Sequence, residues 1–130
     1  IGRPFNRAVP GNAQPPEHPL VGVARFQQVT GTLQRTYPDL PLVGTGYSWL
    51  RQFFPHVGAA AVRSGAVSIV GLGRMGFAYP DYAKDLIEHG KLNSSKSCVG
   101  CSGCSELMRA SIESGCIVRD NELYRLPRPA

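Results

Sequence analysis

The spacing of apolar residues changes repeatedly between residues 20 and 90. Leu20, Val23, Phe26, Val29, Leu33 and Tyr37 recur every three or four positions, which predicts an amphipathic helix ended by Pro38 and Asp39. Residues 40–46 (LPLVGTG) form a short apolar run closed by glycine, the pattern of a buried strand. Helical spacing returns over 49–64, with Leu50, Phe53, Val57, Ala60 and Ala61 on the inward face. Pro55 delays the regular part of that helix, and Ser64-Gly65 supplies a stop. A second apolar strand, residues 66–74 (AVSIVGLGR), also runs into glycines. Pro80-Asp81 then opens a helix that reaches His89 and stops at Gly90.

Two apolar strands joined by a helix predict a parallel βαβ unit and hence an α/β fold. Such strands are ordinarily buried on both faces and flanked by others. Two alone leave both edges open, so the chain is expected to pair with missing strands of its own fold or with a second copy. Residues 1–19 hold five prolines and the polar run 11–14, which predicts an extended, irregular arm. Three segments result: the arm at 1–19, the βα units at 20–92, and a cysteine-containing segment with its tail at 93–130.

Composition narrows the class. With 130 residues, 42% hydrophobic and 18% charged, the chain suits one globular domain. No apolar run approaches the ~20 residues of a membrane-spanning helix. The opening residues lack a signal peptide's apolar core. Together these predict a cytoplasmic protein with no membrane partner, and the missing initial methionine predicts a trimmed product or a fragment. The formal charge of +5 comes from basic residues scattered along the chain without interleaved aromatics, so no nucleic-acid partner is expected.

The chemistry concentrates in the last third. All four cysteines, Cys98, Cys101, Cys104 and Cys116, fall in one set, C-x2-C-x2-C-x11-C. Without a secretion signal, metal ligation is expected ahead of disulfides, and pairing across two residues would close small, strained rings. Three thiols on one loop can wrap three corners of a cubane iron–sulfur cluster, with Cys116 reaching the fourth. Structural zinc prefers two separated C-x2-C pairs, yet a four-cysteine zinc site in a small non-catalytic interaction domain is the alternative. Gly100, Gly103 and Gly115 are expected to supply positive-φ turns around the ligands. Lys96, Arg109 and Arg119 either offset thiolate charge or are solvated surface residues. GTGYS (44–48) and GLGR (71–74) emerge from the carboxyl ends of the two strands. There, exposed N–H groups and Arg74 can meet an anion such as phosphate, although tight turns and strand packing account for the same glycines. His18, His56 and His89 form no acid–base pair, so no catalytic residue is assigned.

The stretches PLVGTGYSWL, VSIVGLGRMGFAYPDYAKDLIEHGKL, CVGCSGC and SGCIVRD together resemble the C-terminal part of the old yellow enzyme-like NADH:flavin oxidoreductases. The resemblance is to the branch containing 2,4-dienoyl-CoA reductase and trimethylamine dehydrogenase, and it spans residues 20 to about 120. Members of that branch are FMN-binding (β/α)8 TIM barrels with a 4Fe–4S cluster just after the barrel. The resemblance implies that residues 20–92 are the last βα units of such a barrel, with 41–46 and 67–72 as its seventh and eighth strands. It implies that Gly46 with Tyr47, and Gly73 with Arg74, hold the FMN phosphate, and that the four cysteines ligate the cluster. The implied activity is hydride transfer from NAD(P)H through FMN to an activated alkene or related small organic substrate, with electron relay through the cluster. A barrel takes about 250 residues, so the resemblance also makes this chain a fragment, expected to be inactive alone and to lack the substrate-protonating residues.

Overall fold

The computed structural model describes residues 17–125. The irregular arm expected over 1–19 lies outside the described residues apart from its last three. Among those three, His18 caps the first helix: its Nδ1 accepts the Leu20 N–H at 3.2 Å, and Pro19 takes a position where a missing N–H costs nothing. That helix, α1 (Pro19–Thr36), closes where the spacing predicts, ahead of Pro38.

The face that α1 buries differs from the expected one. Val23 is buried, but Leu20, Val29, Leu33 and Tyr37 are exposed, and the inward positions are Gly22, Val23, Gly31 and Gln34. Small residues win there because the helix approaches closely; a Cβ on Gly31 would stand 3.4 Å from that of Ala66. Gln34 is tolerated because its amide is fully used. Its Oε1 accepts from Leu42 N (3.1 Å) and Ser68 Oγ (2.9 Å), and its Nε2 donates to the carbonyls of Leu40 (2.9 Å) and Tyr37 (3.4 Å). One side chain thereby anchors α1 to the start of both strands.

The strands are β1 (Val43–Gly44) and β2 (Ile69–Val70), parallel, with Val43 opposite Ile69 and Gly44 opposite Val70. They are far shorter than the runs that predicted them, and they are not buried on both faces. Val43 and Ile69 are 52% and 53% exposed on the side away from the next helix, whereas Val70 packs against Gly58. Each strand has a single neighbour among the described residues, so no second ladder prolongs it.

A 3-10 helix (Tyr47–Phe53) leads into α2 (Phe54–Arg63), which begins at Pro55's first turn as anticipated and ends at Ser64 and Gly65. The 3-10 entry shifts the helical phase. Phe54, Gly58 and Ala61 are therefore the buried residues, while Phe53 and Ala60, expected inside, are exposed. Next come α3 (Arg74–Ala78), α4 (Tyr82–His89), stopped by Gly90 at φ +65°, and α5 (Gly103–Arg109). α3 and α5 were not foreseen, since neither is long enough to display a helical period. About half of the described residues are helical, around a two-stranded parallel sheet, which makes the fold mixed α/β. No helix among the described residues is long and apolar enough to cross a membrane.

The core gathers Tyr47, Phe54, Ala61, Val67, Met75, Ala78 and Tyr79 with one thiol, Cys98. Gly44 beside this core and Tyr47 within it predict opposite mutational outcomes. A Cβ on Gly44 would lie 2.5 Å from Val67 Cγ1 and 3.0 Å from the Tyr47 hydroxyl, so Gly44→Ala should destabilise by about 1–3 kcal/mol through overpacking. The Tyr47 hydroxyl is buried without a hydrogen-bond partner among the described residues, and burial pushes its pKa up. Tyr47→Phe removes that unpaired group and should be neutral or stabilising by up to about 1 kcal/mol. Urea unfolding of both variants checks the pair.

Candidate functional site

The two glycine loops meet at the carboxyl ends of the strands. Gly71 N–H donates to Gly44 O at 2.7 Å, carrying the ladder one step beyond β2. Gly46 then turns the chain at φ +93°, a conformation that a Cβ would strain. The buried Ser48 Oγ accepts the Met75 N–H at 3.2 Å, which ties the first loop to the start of α3. Gly46, Gly73 and Arg74 are thus brought to one end of the sheet, and a Cβ on either glycine would meet nothing within 4 Å. Backbone there is open to approach. The Tyr47 side chain is only 1% exposed, so its hydroxyl is absent from that surface.

Beside these loops, Gly73, Arg74, Phe77, Cys104, Ser105 and Arg109 are among the residues lining an open cavity of about 450 Å³. That volume lies within the range of small-molecule pockets. Arg109 takes its place on that wall.

The four cysteines converge. Cys98, Cys101, Cys104 and Cys116 all line a second cavity of about 20 Å³, together with Arg74, and all four are free thiols. Arg74, Phe77 and Cys104 belong to both cavities, so the two spaces share a wall. As it stands, the small cavity has room for about one water. Among the described residues, no group of three or more His, Cys, Asp or Glu is set to hold a metal ion. The thiols share a wall, then, rather than a finished coordination sphere. As a donor set they fit a soft metal centre: four sulfurs, no carboxylate or imidazole, and a cation beside them.

Loop geometry departs from expectation in one respect. Gly100 does adopt positive φ (+71°), and its N–H points to Cys98 Sγ at 3.4 Å. The other left-handed residues between Cys98 and Cys116 are Ser102 (φ +62°), which opens α5, and Ser111 (φ +55°), and not Gly103 or Gly115. Those two glycines are needed for contact instead. A Cβ on Gly103 would run into the Ile117 side chain, and one on Gly115 into the Tyr124 ring. Burial pushes the Cys98 thiol pKa up; the Gly100 N–H opposes that rise, Cys104 and Cys116 add to it, and Arg74 opposes it. A bound cation would reverse the balance by favouring thiolate.

A polar bracket that the sequence did not reveal holds the approach to Cys98. The Tyr79 hydroxyl, buried in the core, donates to Asp85 Oδ2 on α4 and accepts the Asn93 N–H at 3.3 Å. Lys96 Nζ lies 3.4 Å from Asp85 and 5.0 Å from the centre of the Tyr79 ring. Lys96 is therefore engaged with Asp85. The Arg119 guanidinium donates to Ser97 O at 2.8 Å. These partners are separated by irregular intervals with no motif, so only the fold brings them together.

The bracket has a pH signature. The hydrogen bond from Tyr79 lowers the Asp85 pKa, with Lys96 acting in the same sense, while burial and then the Asp85 bond raise that of Tyr79. A carboxylate held below its unfolded value contributes stability above that unfolded value and loses it as pH falls through the folded one. Acid destabilisation should therefore begin near the ordinary aspartate pKa and deepen below it. Asp85→Asn should flatten that limb, as thermal unfolding across the acid range would record.

Searches of family models, curated proteins and solved structures found no match to this chain.

Proposed function

We propose that the chain is the cofactor-holding C-terminal part of an FMN- and 4Fe–4S-dependent NAD(P)H:flavin oxidoreductase, built from the last two βα units of a (β/α)8 barrel and the loop that follows. The observation that carries this reading is the convergence of all four cysteines on one cavity that Arg74 also lines. Arg74 sits in the loop after β2, which the Ser48–Met75 bond joins to the loop after β1. A phosphate-holding pair of loops and a sulfur-rich cavity would then be neighbours.

When bound, the flavin would supply hydride chemistry and the cluster one-electron storage. The residues of this chain bind and orient. Gly46 and Gly73 leave backbone uncovered for a phosphate, and Arg74 adds a charge able to make charge-assisted bonds. Cys98, Cys101, Cys104 and Cys116 are the proposed cluster ligands, with the Gly100 N–H as a donor to the Cys98 sulfur. The substrate would be a small organic molecule with an activated double bond, reduced at residues outside this chain. The open edge of each strand among the described residues suits a sheet that continues with further strands, and the exposed pair Val43 and Ile69 suits a face that such strands would cover.

Iron, zinc and acid-labile sulfide should be measured on anaerobically purified protein, with a visible spectrum of the same sample. Iron and sulfide in equal amounts with broad brown absorption are expected, and Cys98→Ser should lower both. Stoichiometric zinc without sulfide would replace this reading with a structural zinc site on the same four thiolates.

A further inference from the structure

We infer that Arg119 is a positioning residue that fastens the segment carrying Cys116 to the segment carrying Cys98, and so brings the fourth thiol to the cavity that the other three line. The inference uses the cluster proposed above only for its consequence, since the fastening itself is a property of the chain.

Cys98, Cys101 and Cys104 are held by local structure. Gly100 turns between the first two, Ser102 opens α5, and Cys104 falls in its first turn, where the N–H groups of Ser105 and Glu106 both donate to Ser102 O. Cys116 has no such neighbourhood, because it comes after α5 has ended and the chain has passed the exposed residues 110–113. What orients it lies downstream. The N–H groups of Arg119 and Asp120 both donate to Cys116 O, at 3.2 and 2.9 Å, forming one tight turn. From that turn the Arg119 side chain reaches the first segment, where Nη2 donates to Ser97 O at 2.8 Å. Ser97 is fully buried and immediately precedes Cys98. The bond therefore joins the residue before the first thiol to the first turn after the fourth. Ile117 against Gly103 supplies an apolar contact between the Cys116 segment and the start of α5, but a contact of that kind does not fix distance as a charge-assisted bond does.

The role differs from charge compensation, and the difference is measurable. The metal-free, reduced full chain with Cys101→Ser and Cys104→Ser retains only the two thiols in question. Dibromobimane then bridges Cys98 and Cys116, each thiolate displacing one bromide, and fluoresces only when both have reacted. Arg119→Met keeps the apolar stem and removes the donors, so it should slow bridging by about fivefold, the scale of one partly exposed charge-assisted bond. Arg119→Lys, which retains the charge and N–H donors on a shorter, non-planar head, should restore part of that loss. Equal bridging rates in the parent and in Arg119→Met, with unchanged circular dichroism, would overturn the inference, and so would full restoration by lysine. If Arg119→Met does not fold, the lysine comparison alone decides.

A second readout separates this inference from the cluster reading. After anaerobic reconstitution with equal amounts of ferrous and ferric iron and with sulfide, the four-cysteine chain should hold about four iron and four sulfide, and Arg119→Met about three iron and four sulfide, because the corner without its thiolate is lost as a ferrous ion. Failure of the parent to take up sulfide would count against the cluster and leave the bridging result standing.

Discussion

At the ends of the two strands there is no room for a β-carbon. Gly44 lies against Val67 and the Tyr47 hydroxyl, and Gly71 against Val43 and the Gly44 carbonyl. Only hydrogen side chains let the backbones meet there, and the 2.7 Å bond from Gly71 to Gly44 shows how closely they do. That approach sets where both loops begin. It places Ser48 within reach of Met75, starts α3 at Arg74, and so puts one arginine on the wall of two cavities. The cysteine loop completes the arrangement from the other side. Cys98 belongs to the buried core, and Gly100 faces the Trp49 ring of the 3-10 helix. Core and site are thus one packing problem.

The sequence was informative wherever a local rule decides structure. Helix ends at Pro38, Ser64-Gly65 and Gly90 follow from proline and glycine geometry, and the parallel strand order follows from an apolar run, a helix and another apolar run. Which face α1 buries does not follow, because periodicity fixes angular spacing and leaves the choice of partner to the rest of the fold. Gly31 and Gln34 were chosen over Leu33 and Val29 by close approach and by the open hydrogen-bonding groups of the strands. The shared location of the four cysteines was legible from spacing alone. The bracket of Tyr79, Asp85 and Lys96 was not, since it depends on a buried hydroxyl meeting the side of a helix.

Opposing effects act on the Cys98 thiol. A buried thiol beside two others resists ionisation, while Arg74 and the Gly100 N–H favour the anion. Burial is the largest of these effects on Cys98 and holds its thiol protonated, whereas a bound cation would favour the thiolate and release the proton. The open cavity next door shares Cys104 with this wall, so whatever occupies it would lie beside the same sulfur.

The turn that orients Cys116 has a consequence for the order in which the site is made during synthesis. Eleven residues separate Cys104 from Cys116, and the Arg119 anchor comes later still. At ~5–20 residues per second, the ribosome presents three thiols for about a second before the fourth and its fastening emerge. During that interval the nascent chain carries a three-sulfur half-site with nothing downstream to close it. Closure therefore waits on Arg119: a chain stalled or ended before that residue would keep the open half-site, and one extended past it can seal it.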